Sequence, residues 1–296
     1  MPATSYHGLR VIDKPSGMTS RAAVDRLQRL FPRGTKIGHT GTLDPLATGV
    51  LVVCFGAATR LTEYLQSMTK TYRAGVRLGC RSDTDDADGV VTEVDGATAP
   101  DRAAVEQCLS GFIGFIEQTP PKYSAAKLEG RRAYDLARRG QEVALRPRRV
   151  HIGRIDLVSY EYPQLEIEVR CGKGTYIRSL ARDIGELLHC GGLIQTLRRT
   201  KVGWFREEDA LSLDAEAESI RAQLLPLSAA VPYLVQVQLD DRRLGNLRRG
   251  LAVPAEVVVS PEDDDVAILN SQCELVALGR FDHASGLLHP KKVIML

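Results

Sequence analysis

The stretch LEIEVRCGKGTYIRSLARDIGELL, residues 165–188, changes its hydrophobic period half-way. Leu165, Ile167, Val169 and Cys171 alternate with Glu166, Glu168 and Arg170, the period of two that marks a half-buried strand. Ile177, Leu180, Ala181, Ile184, Leu187 and Leu188 then recur at spacings of three and four, the apolar stripe of a helix. The glycine-bearing loop CGKGTY joins the two. Tyr176 and Arg178 therefore fall at a strand-to-helix corner, where side chains can reach a cleft instead of the core.

Outward from this corner, strands and helices are interspersed without a regular βαβ rhythm. Gly8–Asp13 fits a short strand, and Thr19 can cap a helix with apolar residues Ala23, Val24, Leu27, Leu30 and Phe31, stopped by Pro32. Residues 32–49, rich in Gly, Thr and Pro, predict a loop, and Val50–Phe55 a buried strand. Strand patterns recur at Thr69–Leu78 and Gly89–Val94. The expectation is an α+β fold: a mixed, largely antiparallel sheet with flanking helices. From about residue 233, short β-rich runs (VPAEVVVS, DDVAIL, CELVALGRF, KKVIML) predict a small all-β module docked on it, dividing the chain at 1–232 and 233–296.

Composition excludes several classes. With 296 residues, 44% hydrophobic and 26% charged, the chain has ordinary globular proportions, unlike disordered, collagen-like or coiled-coil sequences. The start, MPATSYHGLRVID, lacks the charged and apolar regions of a secretory signal. The longest low-polarity run, Gly49–Ala58, falls well short of the ~20 residues that cross a bilayer. Six cysteines without a CxxC pair predict reduced, mostly buried thiols and a cytoplasmic setting.

The densest candidate site is GHTGTLDPLATG, residues 38–49. Its glycines permit close ligand approach, and Pro45 biases Asp44 toward an extended backbone outside any helix. A carboxylate on a rigid loop of small residues suits a nucleophile or base; the residues alone equally allow Asp44 to satisfy turn hydrogen bonds. Rival motifs fail. Gly172-Lys173-Gly174-Thr175 lacks the upstream glycine of a phosphate loop. In SDTDDADG (82–89), Ala87 stands where a calcium loop needs a ligand. A glycosidase needs a second positioned carboxylate, which the Asp44 loop does not supply.

GHTGTLDPLATGVL closely resembles the catalytic motif of the bacterial tRNA pseudouridine-55 synthases, the TruB family. RVIDKPSGMTS (10–20), KTYRAGVRLG (70–79), SDTDDADG and CGKGTYIRSLARDIG (171–185) agree in the same order, and ALGRFDHASGLLHPKKVIML (277–296) resembles the end of that family's PUA-type RNA-binding module. The resemblance implies the pseudouridine synthase fold and makes Asp44 the essential aspartate, acting on a uridine flipped out of a folded RNA loop. It makes Arg178 the partner of that carboxylate, Tyr72 a catalytic tyrosine that stacks on the uracil and can assist proton removal, and Tyr176 a second tyrosine lining the pocket. Leu197 would pack against the target base, His39 would enter the T loop and fill the vacated space, and Lys14 would support the pocket more than act chemically. For the tyrosines, core packing is the alternative that residue type alone favours. An isomerisation without redox change implies no cofactor and no metal.

The formal net charge of +2 conceals segregation. Residues 122–149 hold nine basic side chains, among them Lys122, Lys127, Arg131, Arg132, Arg138 and Arg139, against three acids, while residues 81–95 are net −5. Tyr123 and Tyr134 interleave the basic run, a pattern suited to RNA, though a solvated basic helix shares it. The resemblance identifies the segment as a thumb that folds over the tRNA T arm, which implies a stand-alone enzyme needing no guide RNA; a monomer is the default expectation and does not follow from the sequence. Arg242, Arg243, Arg248 and Arg249 form a second basic group in the C-terminal module.

Overall fold

The computed structural model describes residues 6–124, 127–128, 131–132, 145–256 and 265–294. Its centre is a 10-stranded sheet. The strands run in the order Leu211–Ser212, Gly8–Lys14, Thr48–Phe55, Gly192–Val202, Lys70–Leu78, Gln164–Cys171, Arg148–Glu161 and Gly114–Gln118. Ile37–His39 and Phe205–Arg206 pair off this path. Two neighbouring pairs are parallel, Gly8–Lys14 with Leu211–Ser212 and Thr48–Phe55 with Gly192–Val202; the rest are antiparallel. The expected α+β architecture is the one observed.

Alternation in Gln164–Cys171 does what its period demands. Leu165, Ile167, Val169 and Cys171 are buried with Ile177, Leu180, Ala181 and Ile184 of the helix Ile177–Leu187 in one apolar cluster. Leu187 departs from the expected stripe: it lies in the helix's last turn and is 61% exposed. Gly185 lets the helix meet the following strand closely, because a Cβ there would stand 2.2 Å from Gly191 and Gly192 backbone atoms. Any side chain would force these elements apart.

The first helix is Ser20–Gln28, with the Thr19 hydroxyl accepting from the Ala22 amide. It ends four residues before Pro32, so Leu30 and Phe31 fall outside it. Phe31 is nonetheless buried, its ring centroid 4.6 Å from that of Phe55. Within the expected loop 32–49, Ile37–His39 pairs antiparallel with Val53–Phe55, because the open edge of Thr48–Phe55 offers backbone partners that side-chain pattern does not reveal. The strand expected at Gly89–Val94 is Val91–Glu93, which pairs with Cys80–Ser82 outside the large sheet.

Toward the C-terminus five strands form a second sheet in the order Val235–Gln238, Asp265–Leu269, Leu275–Asp282, Leu287–Val293 and Val253–Pro254. This region is β-rich but not all β. Asp240 caps a helix, Asp241–Arg248, by accepting from the Arg243 amide, and only Leu244 and Leu247 anchor that helix by burial. Part of the VPAEVVVS run lies outside the described residues. Leu269, Leu275, Leu278 and Ile294 join Leu9, Val11, Val50 and Val52 in one apolar cluster, which docks this sheet on the larger one. All six cysteines are free, and four are buried. Among the described residues no helix is long and apolar enough to cross a membrane.

Candidate active site

The Asp44 loop is clamped from two sides. The segment after the first strand holds its backbone: Lys14 Nζ donates to the Pro15 and Met18 carbonyls at 2.7 Å each and to the Pro45 carbonyl at 3.4 Å. The Gly17 amide donates to the Pro45 carbonyl at 2.9 Å, and Ser16 Oγ to the Leu46 carbonyl at 3.2 Å. Buried Ser20 both accepts from the Leu43 amide (2.8 Å) and donates to its carbonyl (3.1 Å). The Ala47 amide closes a turn on the Asp44 carbonyl at 3.1 Å. At the loop's end Gly49 has φ +97°, and a Cβ there would lie 2.3 Å from the Arg199 carbonyl, so only glycine fits. DKPSGMTS and GHTGTLDPLATG thus form one structural unit.

Opposite the loop stands Arg178, buried to 4% exposure in the first turn of Ile177–Leu187. Its Nη2 donates to Asp44 Oδ1 at 3.0 Å while Nε lies 2.9 Å from Oδ2, so the guanidinium faces both carboxylate oxygens. Its Nη1 lies 3.1 Å from Asp86 Oδ2 and donates to the Thr84 carbonyl at 2.9 Å; Nη2 also donates to the Tyr123 carbonyl at 2.9 Å. Arg178 is therefore shared by two carboxylates. Asp86 is 5% exposed, and its Oδ1 accepts from Thr84 Oγ1 and, at 3.2 Å, from the Asp88 amide. Nearby, Arg182 pairs with Asp85 at 2.8 Å and Asp83 accepts from the Val90 amide at 2.8 Å. Three acids of SDTDDADG are engaged with arginines or turn amides: Asp83 with the Val90 amide, Asp85 with Arg182, and Asp86 with Arg178 and the Asp88 amide.

Asp44 is enclosed by protein yet keeps 32% of its side chain exposed, which makes it reachable. Burial holds its carboxyl above the usual carboxylate range; Arg178 opposes the rise, Asp86 adds to it as a like charge, and Lys14 opposes it. Lys14 is itself fully buried, and burial brings its amine down to about 8.

Tyr72, on Lys70–Leu78, is buried with Leu43, Ala47 and Leu197 in the apolar cluster under the loop. Burial raises its phenol above the ordinary value, and the Arg199 guanidinium, 6.0 Å from the ring centroid, opposes the rise. Arg199, 2% exposed, donates to the Val50 carbonyl at 2.7 Å and the Gly41 carbonyl at 3.1 Å, tying the loop to the sheet. Tyr176 is half-buried at the corner, where the Gln118 side chain holds its backbone. His39 is half-buried at the end of Ile37–His39, in register with Val53. Lys122 is exposed. The backbone of Lys127–Leu128 pairs with Arg131–Arg132 in a short hairpin, while Arg138 and Arg139 lie outside the described residues.

The structure thus brings Asp44, Arg178, Tyr72, Leu197 and Lys14 around one loop. Residue pattern alone does not single out Asp86, Ser20, Arg199 or Gln118. For Asp86 a signal existed: an acid-rich segment at a place where no cation-binding spacing explained it.

Known proteins resemble the chain over most of its length. The model of the TruB family pseudouridylate synthase N-terminal domain matches residues 28–177, and that of the tRNA pseudouridylate synthase B C-terminal domain matches residues 178–232. A tRNA pseudouridine synthase B of Cupriavidus taiwanensis is 47% identical over 257 residues, covering 84% of this chain and 81% of the relative. Another from Azoarcus sp. strain BH72 is 39% identical, with coverage of 99% and 97%. Among solved structures, that of an H/ACA RNP bound to a substrate RNA containing 2'-deoxyuridine superposes with a TM-score of 0.73 at 26% identity, covering 98% of this chain and 85% of that one. The fold and these matches together define a pseudouridylate synthase. Within that class, the chain belongs to the TruB family.

Proposed function

We propose that this protein isomerises the T-loop uridine of tRNA, position 55, to pseudouridine, with Asp44 as the reacting carboxylate. The observation that carries the assignment is the Asp44 loop: backbone-clamped on one side, ion-paired to buried Arg178 on the other, and still reachable. The reaction breaks the bond from C1′ of the ribose to N1 of uracil and forms one from C1′ to C5. The C5 proton leaves and N1 gains one, so atoms and charge balance without a redox partner. Asp44 reacts as the carboxylate, which Arg178 orients. Tyr72 and Leu197 form the apolar bed beneath the base, Tyr176 lines the pocket, and Lys14 supports the loop. His39 enters the T loop, offsetting part of the few kcal/mol that flipping a nucleotide costs.

The segment containing Lys122, Lys127, Arg131, Arg132, Arg138 and Arg139 grips the T arm through phosphates and shape, without guide RNA. We place the boundary between the catalytic domain and a PUA-like module at residues 232/233. The protein works as a monomer in the cytoplasm, a reducing setting that suits six free thiols. Mass spectrometry of tRNA from cells lacking the gene tests the reading: the T-loop uridine remains unmodified. Unchanged pseudouridine at that position contradicts it.

A further inference from the structure

Five hydrogen bonds join residues 118–123, the stretch leading into the basic segment, to the helix that carries Arg178. Gln118 ends the strand Gly114–Gln118 and is 1% exposed. Its Oε1 accepts from the Tyr176 amide at 2.8 Å, and its Nε2 donates to the Tyr176 carbonyl at 3.0 Å. One side-chain amide thus satisfies both polar groups of the residue that opens the helix, as a neighbouring strand would. The Thr119 carbonyl accepts from Ser179 Oγ at 2.8 Å and from Arg182 Nη2 at 3.0 Å. The Tyr123 carbonyl accepts from Arg178 Nη2, the same nitrogen that donates to Asp44 Oδ1.

Each contact has a direction. Tyr176 is the cap position of Ile177–Leu187 and has no side-chain cap hydrogen bond of its own. The angle at which the helix leaves the corner, and hence the reach of Arg178 two residues later, depends on a partner from elsewhere, and Gln118 is that partner. Four residues beyond it begins the run from Lys122 to Arg149 with nine basic side chains.

We infer that Gln118 is a positioning residue: it locks the Tyr176 corner so that RNA held on the basic segment is set in register with the Arg178–Asp44 pair. The inference rests on the reading of this site as a tRNA-modifying one. It adds a mechanical link between gripping the substrate and aligning the reacting carboxylate. Gln118 touches no reacting atom; it acts through Tyr176 and Arg178. A methionine of similar length removes both hydrogen bonds, and a glutamate keeps the acceptor while losing the donor.

The test uses full-length protein and a T-arm stem-loop, comparing Gln118→Met, Gln118→Glu and Ser179→Ala with the parent. Stem-loop affinity, single-turnover rate at saturating RNA and the pH dependence of that rate are measured on the folded fraction. Gln118→Met is expected to bind within twofold of the parent and to react at least tenfold more slowly, with Gln118→Glu between the two. The acid limb of its pH profile moves to higher pH, because a displaced Arg178 no longer opposes burial of Asp44, leaving Asp86 and Lys14 as its charged neighbours. A role in stability alone would reduce the folded fraction and leave the rate and acid limb of the remainder in place; that result overturns the inference. Should Gln118→Met fail to fold, Ser179→Ala decides, since it removes one bond of the same tether: a threefold or greater rate loss at unchanged affinity supports the inference, and an unchanged rate overturns it. A parent protein that does not convert the stem-loop refutes the functional reading itself, a separate outcome.

Discussion

Replacing Asp86 by asparagine removes one of the two carboxylates that hold Arg178 while keeping its shape. Asp86 Oδ2 lies 3.1 Å from Arg178 Nη1, and both side chains are about 5% exposed or less. A hydrogen bond to a charged group contributes roughly 1.5–3 kcal/mol, and the asparagine carbonyl retains part of it, so the expected loss of stability is about 2 kcal/mol. That corresponds to a fall in Tm of roughly 4–8 °C. The effect on Asp44 has the opposite sense. Asp86 is a like charge that raises the Asp44 carboxyl, so its removal lowers it. In the proposed reaction Asp44 acts as the ionised carboxylate; the parent's rate should therefore be lost as pH falls through a value above the ordinary carboxylate range. In Asp86→Asn the same limb moves to lower pH, even as the plateau rate falls because Arg178 has lost an anchor. Single-turnover rates on a T-arm stem-loop between pH 4 and 8, alongside thermal melts, read both effects. An acid limb that stays in place or moves upward refutes the view that Asp44 and Asp86 are coupled through one shared arginine.

Ser20→Ala deletes both hydrogen bonds to Leu43 and leaves a buried amide unpaired; urea titration should show a loss of about 1–3 kcal/mol, and single-turnover rates a drop at unchanged RNA affinity. His39→Ala should slow turnover moderately, by about tenfold or roughly 1.4 kcal/mol, with the acid limb in place; a loss as complete as that from removing the Asp44 carboxylate would give His39 a chemical role instead. Binding of tRNA should weaken as salt rises, and each of Arg131, Arg132, Arg138 and Arg139 changed to alanine should reduce the log–log salt slope by about 0.7–0.9 if it contacts one phosphate.

Sequence patterns exposed the elements whose side chains repeat. Alternation from Leu165 to Cys171 and the helical stripe from Ile177 to Ile184 were both visible, because each reflects burial of one face. Ile37–His39 was not: it is three residues long, and its pairing with Val53–Phe55 depends on backbone groups at an open edge. The helix Asp241–Arg248 was missed because two buried leucines make no visible period. At the candidate site, Asp44 stood out through its glycine-rich setting and Pro45. Asp86, Ser20 and Gln118 did not, because each acts on one distant partner, Arg178, Leu43 and Tyr176, residues 92, 23 and 58 positions away. Such contacts arise only when the sheet brings distant loops together.

The central claim is that Asp44 isomerises a uridine with no help from another protein or RNA. Tritium release from a T-arm stem-loop labelled at C5 of the target uridine, catalysed by the purified protein alone, measures it directly. The parent should release one equivalent of tritium and Asp44→Asn none. Release by Asp44→Asn at the parental rate, or no release by the parent until a guide RNA or partner protein is added, would contradict it.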